Sequence, residues 1–488
     1  MSLKYLKLKF WWFVLLIFGV TVVDAVPSPL MASSLQDLLR NRIESAGVPL
    51  KLTVGDESVY AAAALPAFYE QRAYRPAWTH EKGLLPQARS LLSAIQKAEE
   101  QGLRPTDYHL NKVENLLPET RKIFKLPDPR LLVDIDLMLT DAFLIYGSHL
   151  VSGRINPESI DPQWFASRRE LDLVQVLEAA LRSAEIEKEL YSLLPLHPDY
   201  EKLRKALAHY RQITADGGWP SVPIDLRIQK GDHGDQIPIL RHRLAVEGFI
   251  EEAPTALDTL FDDELEQALK QFQIQNGLEP DGVLGKQTTR ALNITVEERS
   301  RQITVNMERW RWLPQDLGSR YILVNIAGFY LDVIENQQPV MDMRIVAGKP
   351  YRRTPVFSDK VTYLVMHPYW GVPKSLAIKD ILPKVKKDPA FLAQQKFKIF
   401  RGRGANTKEI DPGSIDWPSV TSANLNFWFR QEPGPQNALG RIKFMFPNQF
   451  DVYLHDTPAR ELFAKARRDF SSGCIRIEKP LELADYLF

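Results

Sequence analysis

The sequence predicts an α+β protein of several domains, in which helical domains come first and a mainly β domain with an insertion comes last. Three observations support this prediction. A length of 488 residues corresponds to about three domains of roughly 150 residues each. Apolar residues recur at helical spacing in the first part of the chain. In the last third, several short segments are dominated by β-branched and aromatic residues, which is typical of strands.

The composition is that of a folded protein and argues against two kinds of partner. Hydrophobic residues make up 44% and charged residues 25% of the chain, as in globular domains. Lys and Arg number 62, and Asp and Glu number 61, so no basic excess predicts a nucleic-acid partner. The nine histidines are scattered, and none forms a His-x3-His pair, so we predict no metal site.

The N-terminus has the layout of an export signal. Lysines precede an apolar run at residues 10–23, and Val23-Asp24-Ala25 ends the run with small or apolar residues at the two positions that a signal peptidase reads. A membrane span needs about 20 apolar residues, so this run is short. We predict a signal peptide over residues 1–25, with an uncleaved N-terminal membrane anchor as the alternative. Both place the rest of the chain outside the cytoplasm.

Residues 34–220 are predicted to form a helical domain. Their apolar residues follow helical spacing, as at residues 132–150, and Pro105, Pro157 and Pro198 separate the helices.

Residues 226–296 are predicted to form a separate module of three short helices around one small core. Gly248 ends the first helix, Asp262 or Asp263 begins the second, and Gly277 ends the second.

Residues 300–488 are predicted to form the mainly β domain. The segments with strand composition are residues 321–334, 361–367, 443–446 and 451–454. The strand pattern breaks at residues 371–430, where Lys, Pro and Gly are dense. We interpret this stretch as an insertion that lies over the domain as a lid. The alternative is a solvated surface loop, although loops of this length are usually functional or mobile.

Cys474 is the one cysteine of the chain, and its surroundings suggest chemistry. A lone cysteine is either a buried, inert thiol or a reactive one. His455 precedes it by 19 positions, and an imidazole can take the proton of a thiol to give the nucleophilic thiolate. Gly473 permits a tight turn whose backbone N–H groups can face an oxyanion. Arg476 lies on the same side of an extended segment as Cys474 and could hold a thiolate or a carboxylate.

Several motifs resemble one enzyme family. His455 followed by Ser-Ser-Gly-Cys-Ile-Arg at residues 471–476 resembles the signature of the L,D-transpeptidase catalytic domain. Residues 367–373 are similar to a family segment that usually begins with Asn where this chain has His367, and that often has a second Pro where this chain has Lys374. We expect neither departure to affect the chemistry. Residues 431–448 are similar to a block typical of large Gram-negative members.

The resemblance implies catalytic roles for four residues. Cys474 would be the nucleophile and His455 the base. Tyr453 and the backbone amides of Gly473 and Cys474 would help to bind the oxyanion. The resemblance also implies that Arg476 contacts the substrate or the thiolate. We further expect three residues to bind substrate, namely Ser472 in the turn before Cys474, Trp370 and Asn437. No cofactor is implied, because acyl transfer through a thiol needs none.

The remaining domains carry resemblances of their own. The module is similar to peptidoglycan-binding modules of bacterial cell-wall enzymes. The similarity lies in the motifs Gly231-Asp-His-Gly, Phe272-Gln and Asp281-Gly. The first domain resembles the helical scaffold of large L,D-transpeptidases. The resemblance lies in the motifs Phe68-Tyr, Asp107-Tyr-His and Gly153-Arg. Large members usually continue with further helix, whereas this sequence ends fourteen residues after Cys474, so we expect a truncated form with a less supported final strand.

Together these resemblances imply a periplasmic enzyme that acts on peptidoglycan stem peptides. It would form 3→3 crosslinks and release D-alanine from a tetrapeptide donor, and carbapenem-type β-lactams would inhibit it. The alternatives are an L,D-carboxypeptidase, a lipoprotein-anchoring transpeptidase, a cysteine endopeptidase and a non-catalytic wall-binding scaffold. The N-terminus could also associate with the inner membrane.

Overall fold

The computed structural model describes residues 34–47, 51–121, 125–162, 164–166, 168–223, 227–251, 259–402 and 404–488. The predicted signal or anchor at residues 1–25 lies outside the described residues, as does Leu226, the predicted first residue of the module. None of the helices in the described part of the chain has the length and apolar character that a membrane crossing requires.

The first part of the chain is helical, which confirms the predicted fold class. Its elements are α1 (Leu35–Glu44), β1 (Thr53–Val54), β2 (Glu57–Ser58), α2 (Leu65–Gln71), β3 (Thr79–His80), β4 (Gly83–Leu84), α3 (Pro86–Gln96), α4 (Leu110–Leu116), α5 (Pro129–Ser152), β5 (Trp164–Phe165), α6 (Leu173–Ser183), α7 (Ile186–Ser192) and α8 (Pro198–Ala215).

Helix α5 is the central element of this region. Asp128 caps its first turn by accepting a hydrogen bond from the Arg130 N–H, and most of its side chains are buried. Asp136 is fully buried in α5, and its carboxylate accepts hydrogen bonds from the backbone N–H groups of residues 77–79 and from the Tyr69 hydroxyl. Because a buried carboxylate needs such partners, Asp136 fixes this segment against the helix.

The module that follows contains α9 (Ile237–Val246), α10 (Asp263–Gln275) and α11 (Lys286–Leu292). Of the two residues predicted to begin the second helix, Asp262 is the cap, because its side chain accepts the Leu265 N–H at 3.0 Å. Phe261, Phe272 and their apolar neighbours form a core separate from that of the first region.

Helix α12 (Val296–Arg311) crosses the predicted boundary between the module and the β domain. Residues 300–311 fall within the predicted β domain, yet Met307 packs with Tyr200 and Leu207 of α8. The buried Arg311 also donates a hydrogen bond to the Tyr200 hydroxyl at 2.8 Å. Helical periodicity identifies a helix but not the surface against which it packs.

The C-terminal region is mainly β, as predicted. Its elements are β6 (Arg320–Asn325), β7 (Tyr330–Glu335), β8 (Gln338–Gly348), β9 (Val356–Phe357), β10 (Tyr363–Met366), β11 (Trp370–Gly371), α13 (Lys374–Leu376), α14 (Leu382–Lys387), α15 (Ala390–Gln394), β12 (Phe397–Arg401), β13 (Lys408–Ile410), β14 (Trp428–Gln431), β15 (Ile442–Met445), β16 (Leu454–His455), β17 (Asp469–Ser471), β18 (Ile475–Ile477) and α16 (Pro480–Leu487).

The main sheet of this region is mixed. Its strand order is β10-β15-β16-β18-β8-β7-β6, and β17 pairs with β8 outside that path. The pairs β16–β18 and β17–β8 are parallel, whereas β10–β15, β15–β16, β18–β8, β8–β7 and β7–β6 are antiparallel. The central strands β16 and β18 are therefore supported on both sides.

The insertion at residues 371–430 is a folded unit, so the alternative of a solvated loop is wrong. Strands β11, β14, β12 and β13 form a second sheet in that order. Val385, Ile399 and Phe429 are fully buried in the insertion's own core. The strand pattern of the sequence breaks here because the strands are short and alternate with helical turns and Gly- and Pro-containing turns.

The helical region also touches the β domain directly. Strand β5 pairs in parallel with β9, and the Phe165 ring lies 4.7 Å from the Phe450 ring between centroids. Arg353 of the β domain is 3.7 Å from Asp161. The helical region therefore contributes a short strand and an aromatic side chain to the edge of the β domain.

Candidate active site

Four of the predicted site residues lie on one face of the main sheet. Strands β16 and β18 are parallel neighbours, with His455 level with Arg476. Side chains alternate between the two faces of a strand. Tyr453, two residues before His455, and Cys474, two residues before Arg476, therefore share that face. The backbone pairing extends to Tyr453, whose carbonyl accepts the N–H of Ile475 at 3.1 Å.

The opposite face of the same strands is the core of the domain. Leu454 and Ile475, which alternate with the site residues, are buried there together with Phe444 and Ile477. The alternation of the two short strands thus separates residues that stabilise the fold from residues that remain available for chemistry.

Cys474 is partly exposed and its thiol is protonated at rest. Burial raises the pKa of the Cys474 thiol, although hydrogen bonds from Tyr453 and the positive charges of Lys443 and Arg476 act in the opposite direction. The sulfur lies 3.7 Å from the carbonyl oxygen of Asp451, to which the S–H donates. A reaction at this sulfur therefore needs a group that removes the proton.

His455 is neutral and able to accept that proton. Burial, with the nearby charges of Arg476 and Lys443, lowers the pKa of His455 to about 3. Its Nδ1 lies 2.5 Å from the carbonyl oxygen of Asp456, so Nδ1 carries the hydrogen and Nε2 keeps a free lone pair. Among the described residues, no hydrogen bond joins the His455 ring to Cys474. Catalytic hydrogen bonds often form only when substrate is bound.

Tyr453 places a hydroxyl beside the sulfur. Its ring packs edge-on against the His455 ring, with 5.6 Å between centroids. Burial and the neighbouring Cys474 raise the pKa of the Tyr453 hydroxyl far above its ordinary value, so the hydroxyl stays protonated and can donate a hydrogen bond.

Lys443 belongs to the same face but was not identified from the sequence. It is level with His455 across the β15–β16 pair, and its Nζ lies 3.8 Å from the centroid of the Tyr453 ring. Burial lowers the pKa of Lys443, while a thiolate at Cys474 would act in the opposite direction. The signal was its position between the apolar Ile442 and Phe444, because a charged residue in a strand must face away from the core.

The loop before Cys474 is held in a tight conformation. Gly473 has a φ of +119°, a conformation that L side chains rarely adopt. Its N–H donates to the Ser471 hydroxyl at 3.2 Å, and that hydroxyl donates to the Cys474 carbonyl. The Gly473 amide, expected to bind an oxyanion, is therefore already engaged within the loop. In the described structure the Cys474 N–H has no hydrogen-bond acceptor.

Arg476 supplies a guanidinium that is largely buried and incompletely hydrogen-bonded. Burial lowers the pKa of its guanidinium, and the Cys474 charge acts against this change. Its buried Nε has no hydrogen-bond partner among the described residues. Such a group can bind a carboxylate through two parallel hydrogen bonds.

Two residues expected to bind substrate have different surroundings. Asn437 is buried, and its side-chain amide donates to the carbonyls of Pro368 and Glu432 and accepts the N–H of Leu439. Its polar atoms are used by the backbone, so the expected substrate contact of Asn437 is corrected to a structural one. Trp370 lies on β11 and packs against Phe397 in the insertion, not on the face that carries Cys474.

In the part of the chain that the structure describes, no group of three or more His, Cys, Asp or Glu side chains is placed to hold a metal ion. The side chains that the site does present are a thiol, a neutral imidazole, a phenol and two cations.

Comparisons with known proteins identify three related domains and one relative. Residues 319–487 match the L,D-transpeptidase catalytic domain, residues 63–207 match a scaffold domain, and residues 233–292 match a domain described as "Putative peptidoglycan binding domain". A "Putative L,D-transpeptidase" of Haemophilus influenzae is 36% identical over 200 residues, which are 41% of this chain and 38% of that protein. The matched region thus spans well under half the length of that relative. These domains indicate a protein of the cell envelope.

Proposed function

We propose that this chain, which combines a scaffold domain, a peptidoglycan-binding domain and an L,D-transpeptidase catalytic domain, forms 3→3 crosslinks between peptidoglycan stem peptides through a thioester on Cys474. The observation that carries the proposal is the parallel register of β16 and β18. That register aligns the thiol, the imidazole, the phenol and the guanidinium on one face.

In the first step, Nε2 of the neutral His455 takes the proton of the Cys474 thiol. The sulfur attacks the carbonyl carbon of the third, L-configured residue of a tetrapeptide donor. The Tyr453 hydroxyl and the Cys474 N–H donate to the oxyanion, a contribution that is often among the largest in acyl transfer. Protonated His455 then gives its proton to the leaving nitrogen, and D-alanine departs as a C–S bond replaces the C–N bond.

In the second step, the side-chain amine of another stem peptide attacks the thioester. His455 accepts a proton from this nitrogen, a C–N bond replaces the C–S bond, and protonated His455 returns the proton to the departing sulfur, so that Cys474 is again the thiol. Lys443 and Arg476 stabilise the thiolate in both steps, because two positive charges near a buried sulfur favour its ionised form. Arg476 also binds a carboxylate of the substrate, and the exposed Ser472 makes a further contact with it.

The other parts of the chain place the active site on peptidoglycan. We propose that residues 1–25 direct export to the periplasm, as a cleaved signal or as an inner-membrane anchor. The module holds the enzyme on peptidoglycan and raises the local concentration of stem peptides. The insertion at residues 371–430 acts as a lid that excludes water from the thioester. Carbapenems acylate Cys474 as analogues of the donor.

Product analysis tests this proposal. Purified tetrapeptide muropeptides are incubated with the protein and with Cys474→Ala, and the products are identified by mass. A crosslinked dimer with release of D-alanine, absent from the variant, supports the proposal. Tripeptide without dimer would indicate a carboxypeptidase, and transfer only to a lipoprotein lysine would indicate an anchoring enzyme. Cleaved crosslinks would indicate an endopeptidase. No Cys474-dependent product would leave only wall binding.

A further inference from the structure

Arg352, in the turn that follows β8, joins two parts of the protein that are far apart in sequence. Its Nη1 donates to the Asp380 carboxylate at 2.7 Å and to the Ser472 hydroxyl at 2.9 Å. Its Nη2 lies 3.4 Å from the second oxygen of Asp380. Asp380 belongs to the π-helical turn Ala377–Ile381 of the insertion, whereas Ser472 lies two residues before Cys474. One guanidinium therefore bridges the insertion and the loop that carries the nucleophile.

The turn around Arg352 holds three consecutive residues of that loop. The Lys349 N–H donates to the Ser471 carbonyl at 3.1 Å, Arg352 donates to the residue after Ser471, and the Thr354 hydroxyl donates to the Gly473 carbonyl at 2.8 Å. The conformation of the nucleophile loop thus depends on this turn at every residue from 471 to 473.

The backbone of the turn is itself fixed. The Arg352 N–H donates to the Lys349 carbonyl at 2.8 Å. A Cβ atom at Gly348 would lie 2.3 Å from the Arg352 carbonyl oxygen and 2.7 Å from the Thr354 nitrogen, so the turn folds back tightly on the end of β8. The Arg352 side chain is 16% exposed and the Asp380 side chain is 44% exposed, so the guanidinium is mostly enclosed while its carboxylate partner is open to water. The contact that can change is the one between Arg352 and Asp380, because Asp380 belongs to the insertion.

We propose that Arg352 is a positioning residue that transmits docking of the insertion to the nucleophile loop. With Asp380 in place, the guanidinium is held between two partners, and Ser472 and the following residues are fixed. When the insertion moves away, Arg352 loses its carboxylate and the loop gains freedom. The thiol is then aligned for acyl transfer only while the insertion is docked. This inference rests on the proposed acyl transfer at Cys474.

The single cysteine permits a direct test. Iodoacetamide alkylation, followed by intact-protein mass spectrometry, reports on Cys474 alone. Asp380→Asn should raise the alkylation rate several-fold, because a looser loop exposes the thiol. The same variant should slow thioester formation with tetrapeptide by about tenfold, because small displacements of a reacting group are costly. Arg352→Ala should have the same two effects, and the double variant should add nothing, since both residues act through one bridge.

Two further variants serve as controls. Glu409→Gln removes an exposed ion pair with Lys398 inside the insertion and should leave both rates unchanged. Arg352→Lys keeps the charge but not the forked donors and should recover part of the thioester rate. Wild-type rates in Asp380→Asn, or additive effects in the double variant, would overturn the inference. If the wild-type protein forms no thioester, the proposed function fails, whereas the alkylation rates still test the bridge.

Discussion

Replacing Tyr453 with phenylalanine tests the electrostatics of the site most directly. The ring is held by His455 on one side, with 5.6 Å between centroids, and by the Lys443 ammonium, 3.8 Å from its centroid. Phenylalanine keeps both contacts, so the substitution removes only the hydroxyl beside the sulfur. A hydrogen bond to a charged group contributes about 1.5–3 kcal/mol. The rate of thioester formation should therefore fall about 10- to 100-fold.

The same change has a predicted sign for the thiol. Hydrogen bonding from Tyr453 lowers the pKa of Cys474, so removing the hydroxyl should raise this pKa. The pH profile of iodoacetamide alkylation should then move to higher pH. Tyr330→Phe, which removes a hydroxyl on β7 that accepts from Asn325, is the matched control. A normal thioester rate with an unmoved alkylation profile in Tyr453→Phe would refute this account of the site.

The remaining predictions use the same assays. Cys474→Ala should abolish thioester formation and the carbapenem adduct without unfolding the protein; an adduct that persists on a serine would contradict the mechanism. His455→Ala should lose about 10²–10⁴-fold in turnover, and unchanged turnover would exclude it as the base. The pKa of His455 is lowered to about 3 and that of His149 to about 4. Below about pH 6.5 the unfolded chain therefore binds protons that the native state does not. The free energy of unfolding should fall from pH 7 to pH 4, and it should fall more steeply in the wild-type protein than in His455→Gln. Equal urea midpoints at the two pH values would refute this prediction. Deleting residues 371–430 should favour hydrolysis over crosslinking, and an unchanged product ratio would exclude a lid. Deleting residues 226–293 should slow crosslinking of insoluble sacculi but not of soluble muropeptides, whereas equal losses would indicate support of the fold.

The sequence predicts which reactive side chains share one face of a strand, because these residues lie in two short motifs. Cys474 and Arg476 are two positions apart on one strand, as are Tyr453 and His455 on its neighbour. Alternation within a strand follows from the sequence, so each pair can be placed on one side without a structure. That the two strands are adjacent and in this register depends on the fold, and it is seen only in the structure.

Other features depend on contacts that sequence periodicity does not encode. Asn437 occurs in a motif of the family, yet its side-chain amide donates hydrogen bonds to the backbone carbonyls of Pro368 and Glu432. Lys443 joins the site through a strand pairing with His455. Arg352 acquires its role from partners 28 and 120 positions away. Long-range packing decides all three.

The pairing of β5 with β9 bears on how the protein can be divided. A fragment beginning at residue 319 would lose β5, and the backbone of Val356–Phe357 would lose its parallel partner. The Phe450 ring would lose its contact with Phe165. The apolar surface of the Phe450 ring would become more exposed to water. The helical region therefore covers part of the catalytic domain in the intact chain, and a fragment that begins at residue 319 should have a lower melting temperature than the same domain within the full chain.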